Sequence, residues 1–513
     1  MQTHGFLIAS LFAVSALSPM ATQAKDEAHI VERRLTALMS DLHERNLFDG
    51  SVVVGKGQEI LWERGFGFAN EARRVAFTSD TTADAASLAK TFTAALVLLL
   101  RAEGIIDLDV PVQHYLPELP YPDITLRHLL SHSSGLPAYY DYFEPFIPAG
   151  KVRTTETLLE IIAERKPPLH FRPGSAFEYS SFAYDLAALA VGRASDSTYG
   201  DLLRKRFFEP LGITSAFLRP ARLSDFPEPR TIGYRHSHGK SEVYDVFDLE
   251  GFHGGSNIYI SARDLHRWNS AFLSPSVIPA KIKSEALEFA QIGNAASGLT
   301  LGSWYRTNVG DAYCYAGHLQ GFHSEVFGAP KSGWSIVYVS NNTLEPWLQP
   351  AIIRAIRSIL KGNDVRPLAP PDTVKLAKED RRLLAGAWTM VAMPALEIES
   401  LKEGLVIRLN GLAYQMVPVS ESMFYVPGLH FYIGMVKDDK TSIDRIYVST
   451  NFGEWLGVRK TSTRLQRPPR EPYRLTKRSS EPRPAPMRSF RVGSSSSLQP
   501  RALSGAVADL VSR

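Results

Sequence analysis

Two spacings of hydrophobic residues alternate along this chain and divide it into helical and sheet-forming stretches. A largely polar helix is expected over residues 27–45. Gly50-Ser51-Val52-Val53-Val54 and Glu59-Ile60-Leu61-Trp62 then flank Gly55-Lys56-Gly57-Gln58, the pattern of a β-hairpin. Residues 87–103 predict a long apolar helix, with Gly104 where a helix stop belongs. Shorter helices are predicted at 125–132, 155–164, 181–193 and 262–272. Strands return at 323–328 and 334–340 around the turn-like Ala329-Pro330-Lys331-Ser332-Gly333, and an amphipathic helix at 346–361 closes the unit.

Residues 363–373, with Arg366-Pro367 and Pro370-Pro371, read as a linker. Beyond it the runs 405–409, 414–419, 423–426, 431–436 and 445–448 are short, β-branched and aromatic, which predicts a small antiparallel β domain. The stretch after residue 460 contains Arg467-Pro468-Pro469-Arg470, Glu481-Pro482-Arg483-Pro484 and four serines at 494–497. It is too polar to offset the entropy of ordering and is expected to be disordered. The expected organisation is a signal peptide at 1–24, a folded domain at 25–362, a linker at 363–377, the small β domain at 378–460 and a disordered basic tail at 461–513.

At 513 residues the chain exceeds what one hydrophobic core usually organises, and 44% hydrophobic with 21% charged residues is ordinary globular composition. The net charge of +4 hides an asymmetry: residues 459–513 hold 13 Lys or Arg against 3 Asp or Glu, so the body before them is slightly acidic. That tail lacks interleaved aromatics, so it reads as solvated, and no nucleic-acid partner is expected. The lone Cys314 excludes an intramolecular disulfide and any Cys-built zinc or iron–sulfur site. The apolar run at 6–21, followed by Thr22-Gln23-Ala24 before Lys25, reads as a signal peptide. Export to the periplasm or the extracellular space follows, with no membrane span after cleavage; an uncleaved anchor is the alternative.

Ser87-Leu88-Ala89-Lys90 has Ser-x-x-Lys spacing, but so does Ser358-Ile359-Leu360-Lys361, and the tetrad by itself fits an N-cap serine followed by a first-turn surface lysine equally well. Position separates the two. Ser358 lies in the last turns of an amphipathic helix, whereas Ser87 opens a helix whose continuation, Ala94-Ala95-Leu96-Val97-Leu98-Leu99-Leu100, must be buried. Residues three apart share a helix face, so Lys90 can reach the Ser87 hydroxyl. Burial and the positive helix N-terminus both disfavour a charged lysine there, which suits it to act as a base toward serine.

Four further blocks follow in order. Ile124-Thr125-Leu126-Arg127-His128-Leu129-Leu130-Ser131-His132-Ser133-Ser134-Gly135-Leu136-Pro137 joins a helix to a turn, and Pro173-Gly174-Ser175-Ala176-Phe177-Glu178-Tyr179-Ser180-Ser181 sets a tyrosine ahead of an apolar helix. Gly254-Gly255-Ser256-Asn257 leads into another helix, and Tyr315-Ala316-Gly317-His318-Leu319-Gln320-Gly321-Phe322 precedes the late hairpin. In this order, residues 45–360 resemble the serine β-lactamase, penicillin-binding protein and esterase superfamily, particularly its class C-like branch. The later β segment is similar to the lipocalin-like C-terminal domain of some members. The resemblance implies an α+β fold, with an antiparallel sheet flanked by helices and an inserted mostly helical subdomain, followed by a small all-β lipocalin-like domain.

It also implies roles. Ser87 would be the acylated nucleophile, Lys90 its proton acceptor, and Tyr179 a partner in the proton relay that protonates the leaving group. Backbone N–H groups of Ser87 and His318 would form the oxyanion hole, and Ser181, Tyr315, Gly317 and His318 would line the substrate site. Two departures stand out. Ser181 occupies the place of the asparagine in the family's Tyr-x-Asn, and Tyr315-Ala316-Gly317 replaces Lys-Thr-Gly or His-x-Gly, with the His318 side chain as an alternative cation from a shifted position. His128 and His132 are spaced for a metal but lack an accompanying Glu, so packing or capping is expected. No Gly-x-Ser-x-Gly elbow or phosphate loop is present.

The expectation is an exported serine hydrolase that cleaves esters, small amides or peptides through an acyl-serine, without metal or organic cofactor. A β-lactamase or D-Ala-D-Ala-type peptidase is the nearest alternative, and a catalytically silent recognition protein the more distant one.

Overall fold

The computed structural model describes residues 18–459 apart from 138–145, 148–149, 238–239, 275, 277, 293–294, 307–311, 346, 371, 377, 391–395, 403, 410–411, 421–422, 427–430, 438–442 and 451–452. The helix α1 (Ser18–Glu44) continues through the expected cleavage point after Ala24. Most of the expected signal segment and the basic tail lie outside the described residues. Among the described residues no helix is long and apolar enough to cross a membrane.

After α1 the hairpin β1 (Gly50–Lys56) and β2 (Glu59–Phe66) forms as its sequence predicts. A long, mainly helical insertion follows, and three of its helices carry the site: α2 (Ala89–Ala102), α3 (Ser181–Ala194) and α4 (Ala262–Leu273). The chain then returns to the sheet through β3 (Phe289–Ile292), β4 (Ala295–Thr300), β5 (Tyr305–Arg306), β6 (Tyr313–Leu319), β7 (Phe322–Ala329) and β8 (Trp334–Ser340), and leaves it as α5 (Leu348–Leu360). The sheet order is β3-β4-β5-β6-β7-β8-β1-β2. The first hairpin therefore docks on the last strand, with Gly50 opposite Ser340 and Lys56 opposite Trp334.

Side-chain alternation gives this sheet two buried faces. Val52, Val54, Cys314, Phe327, Ile336 and Tyr338 join one core with Leu35, Met39 and Leu42 of α1 and Ile352 and Ile356 of α5. Their neighbours Val53, Tyr313, Tyr315, Val326, Val337 and Val339 face the other core, shared with α2, α3 and α4. Helix α2 is buried almost all round, the pattern of a central helix packed on several sides.

The linker segment from Asp364 to Leu368 lies along α1, where Arg34 meets Asp364 at 2.6 Å and Arg45 donates to the Leu368 carbonyl at 2.7 Å. Beyond them lies a closed barrel of eight strands: β9 (Gly386–Met390), β10 (Leu396–Leu401), β11 (Gly404–Leu409), β12 (Leu412–Pro418), β13 (Met423–Val426), β14 (Phe431–Lys437), β15 (Ile443–Thr450) and β16 (Gly453–Arg459). Each strand pairs with the next, and Trp388 opposite Arg459 closes the ring. Sequence runs announced five of the eight strands; β9, and β10 and β16 with their apolar residues interrupted by glutamate or glycine, were not among them. Tyr425 from the barrel is buried in the core shared by α1 and α5, so the barrel rests on that face.

Beneath α5, Glu325 of β7 is fully buried and accepts a hydrogen bond from the Tyr338 hydroxyl at 2.9 Å. Burial pushes its pKa up to about 8, against the hydrogen bond from Tyr338 and the charge of Arg354. A carboxyl raised in the folded state contributes stability at low pH that is lost as pH rises through the folded value. Between about pH 4.5 and 8 this group alone should therefore lower the melting temperature. Glu325→Gln is expected to flatten that fall, as a differential scanning calorimetry series across pH will show; an unchanged slope would contradict it.

Candidate active site

The nucleophile's turn is built against a strand. Asp84 pairs with Tyr259, and the Ala85 N–H donates to the Ile258 carbonyl at 2.8 Å. At Ala86 the chain enters the left-handed region with φ of 49°, a conformation that costs a non-glycine residue roughly 1–2 kcal/mol. The Ala86 N–H, donating at 2.7 Å to the buried Asp84 carboxylate, holds it there. Burial raises the Asp84 pKa to about 6, opposed by the Arg219 charge and by hydrogen bonds from Ala86 and Asn257. Ser87 then sits in one helical turn, Ala86–Leu88, that runs straight into α2.

One turn on, Lys90 is fully buried. Its Nζ donates to the Gly255 carbonyl at 2.6 Å, to Ser181 Oγ at 3.1 Å and to Ser87 Oγ at 3.3 Å. Ser181, standing where the family pattern has an asparagine, therefore still presents an oxygen to the lysine. Gly255 can be nothing larger, because a Cβ there would lie 2.6 Å from the Ser181 carbonyl oxygen.

Tyr179 arrives on a loop stitched to the Ser131–Gly135 segment. The Gly174 N–H donates to the Ser133 carbonyl, the Glu178 N–H to the His132 carbonyl, and the Ser180 N–H to His132 Nδ1 at 3.0 Å. The His132 ring stacks on Tyr179 at 4.5 Å, and burial followed by the Lys90 charge holds that histidine well below its usual pKa. Ser180 caps α3 by accepting from the Ala183 N–H at 3.1 Å. His128 likewise caps, accepting the Thr125 N–H. Among the described residues no metal-ligand cluster forms.

The Tyr179 hydroxyl donates to Ser87 Oγ at 3.0 Å and lies 3.1 Å from the Tyr315 hydroxyl. Tyr179 is 42% exposed as a residue, yet its hydroxyl end is enclosed by these partners. Desolvation of that end raises its pKa, but the Lys90 charge, together with side-chain hydrogen bonding to Lys90, Ser87 and Tyr315, outweighs it and the net shift is downward. Tyr315 goes the other way: burial first, then Tyr179 and the stacked Tyr305, push it well above the usual phenol range. Two phenols in contact with diverging acidities have defined roles, and Tyr315 is the one that keeps its proton and donates.

Gly317 brings β6 against the nucleophile, since a Cβ there would lie 2.3 Å from the Ala85 carbonyl oxygen and 2.9 Å from the Ser87 nitrogen. β6 pairs with β5 no further than Cys314, so its later residues run along the Ser87 turn. The His318 side chain is the exception among the anticipated residues. It projects from the opposite face of β6 to Tyr315 and hydrogen-bonds Gln349 on α5. The expected substitute cation is thus absent from the site, because three residues along a strand reverse the face. Its backbone N–H still belongs to the segment beside Ser87.

Sequence reading missed Asp84, the Gly255 carbonyl and Asp185. Asp185 carried a usable signal, as the one acid in the apolar helix Ser181–Ala194.

The Beta-lactamase family model matches residues 31–361. Penicillin-binding protein 4* of Bacillus subtilis (strain 168) is 26% identical over 419 residues, covering 77% of this chain and 92% of its own length. The fold is similar to the octameric penicillin-binding protein homologue from Pyrococcus abyssi, with a TM-score of 0.57 and 18% identity over 83% of this chain and 99% of that one. A class C beta-lactamase superposes with a TM-score of 0.53 and 21% identity, covering 66% of this chain and 98% of its own.

Tyr179→Phe removes the hydroxyl between Ser87 and Tyr315 while leaving the ring stacked on His132. It is expected to reduce kcat by about 100-fold or more with KM changed little, the pattern of a group that acts only in the transition state. Steady-state kinetics on a p-nitrophenyl ester will read this split; an unchanged kcat would leave Tyr179 a packing residue.

Proposed function

The chain belongs to the Beta-lactamase family, whose kind of function is hydrolytic, and from that premise we propose that it is an exported serine hydrolase that cleaves neutral esters or small amides through an acyl-Ser87 intermediate. The observation that carries this reading is the convergence of Lys90 Nζ and the Tyr179 hydroxyl on Ser87 Oγ, at 3.3 and 3.0 Å.

In the acylation step Ser87 Oγ attacks the carbonyl carbon as its proton passes into the Lys90–Tyr179 pair. Lys90 favours the ionised form of Tyr179, and the Tyr315 hydroxyl donates to it. The developing oxyanion is met by the backbone N–H groups of Ser87 and His318. Tyr179 returns the proton to the departing alkoxide or amine, and water, activated by the same pair, attacks the acyl-serine to regenerate Ser87 and release the acid. A silent recognition protein has no use for a buried lysine and a phenol aimed at one serine.

Tyr315 selects the substrate class. Penicillins and peptidyl-D-Ala substrates present a carboxylate, for which a cation at this position supplies a charge-assisted hydrogen bond. A neutral phenol forgoes roughly 1.5–3 kcal/mol of that interaction, which disfavours the β-lactamase and peptidase alternatives. The test compares kcat/KM for a short-chain p-nitrophenyl ester and a chromogenic cephalosporin in wild type and Tyr315→Lys. Wild type is expected to prefer the ester, and the lysine variant to gain on the cephalosporin by about 10-fold or more relative to the ester. Efficient cephalosporin hydrolysis by the wild type would refute the assignment of substrate class.

A further inference from the structure

Behind Lys90 stands a buried acid. Asp185, on α3, is 6% exposed, and its Oδ1 accepts the Gly255 N–H at 2.7 Å. The same glycine's carbonyl accepts Lys90 at 2.6 Å. Gly255 is therefore gripped at both ends, by a carboxylate on its nitrogen and by the base of the reaction on its oxygen. The preceding residue is fixed as well: Thr93 Oγ1 donates to the Gly254 carbonyl at 2.7 Å and lies 2.6 Å from the Tyr199 hydroxyl. Among the described residues the other two acceptors of Lys90 Nζ are serine hydroxyls, so the Gly255 carbonyl is the acceptor that cannot rotate away.

Asp185 also lines a cavity of about 700 Å³ whose walls include Glu156, Arg193, Asp196 and His253 but none of Ser87, Lys90, Tyr179 or Ser181. Asp185 thus borders a space separate from the nucleophile. Lys90 on α2 faces it from the site side, and Glu250 and Tyr199 lie close enough to interact with it electrostatically.

Resting on the hydrolase reading above, we propose that Asp185 is a positioning residue: its carboxylate holds Gly255, Gly255 holds Lys90, and protonation of Asp185 from the rear cavity loosens the lysine and slows acylation. Burial pushes the Asp185 pKa up to about 7, opposed by the Gly255 hydrogen bond and the Lys90 charge, so the carboxylate form that grips Gly255 is populated above neutrality and lost below it.

The sequence contains a single Gly-Gly pair, 254–255. In protein made with glycine labelled at the carbonyl carbon and the nitrogen, Gly255 is therefore the only residue whose labelled amide nitrogen is bonded to a labelled carbonyl. Its amide resonance is expected to titrate with a midpoint near pH 7 in wild type and to lose that titration in Asp185→Asn. In parallel, Asp185→Ala should lower ester kcat by about 10- to 100-fold, the scale for a displaced catalytic group, with KM within about twofold. Asp185→Asn, whose neutral amide mimics the protonated acid, should hold kcat near the reduced low-pH level of the wild type at every pH and so lose the decline below pH 7. A Gly255 resonance that titrates alike in wild type and Asp185→Asn overturns the proposal. So does an active wild type whose kcat and acid limb survive both substitutions. A wild type inert toward the ester overturns the hydrolase reading and the catalytic proposal together.

Discussion

A lysine with no exposed surface dictates the arrangement of this site. An amine at the end of a buried helix has to be met by oxygen acceptors, because leaving it unpaired costs far more than any single contact returns. Lys90 finds three, and each comes from a different part of the chain: a serine one turn earlier, a serine at the start of α3, and a backbone carbonyl from the segment that enters α4. That requirement draws the nucleophile turn, the Tyr179 loop and the Gly254–Gly255 segment to one point. It also accounts for the two glycines, Gly255 and Gly317, since no Cβ fits where these backbones close on Lys90 and Ser87.

Around the lysine, acidity is distributed unequally among similar groups. Tyr179 and Tyr315 are phenols 3.1 Å apart, but the first meets Lys90 and Ser87 while the second is packed against Tyr305. One is displaced toward ionisation and the other away from it, so a proton donor and a proton acceptor arise from identical chemistry. Asp84 and Asp185 form an outer layer of buried carboxyl groups, each accepting from backbone N–H groups of a segment that bears on the nucleophile or its base. Retaining such groups is expensive for folding, which is consistent with a role at a site rather than in stability.

What the sequence announced and what it hid follow from the kind of signal involved. The hairpin β1–β2 and the strand pair β7–β8, each two short runs about a turn, and the long apolar run of helix α2 form as expected. Strand β6 was not anticipated as a strand, because Tyr313-Cys314-Tyr315-Ala316-Gly317 carries a glycine and no β-branched residue; its place in the sheet comes from pairing with β7. Ser87 and Lys90 could be named from their spacing at the head of a buried helix, and Tyr179, Ser181 and Tyr315 from the resemblance to the family's motifs, since in both cases the chemistry lies in the side chains themselves. The Gly255 carbonyl and the left-handed Ala86 could not, because backbone positions leave no residue-type signature. His318 was misjudged as a possible cation because the face of a strand changes with every residue, and only the register against β7 decides which face a given residue takes.

The central claim is that Ser87, among all the serines of the chain, is the one made nucleophilic by this arrangement. Intact-protein mass spectrometry after exposure to a fluorophosphonate, followed by peptide mapping, tests it most directly. The account predicts one adduct per chain, located on Ser87, and no adduct in Ser87→Ala protein that still melts cooperatively. Labelling that persists in Ser87→Ala, an adduct on Ser358 instead, or an unlabelled wild type would contradict it.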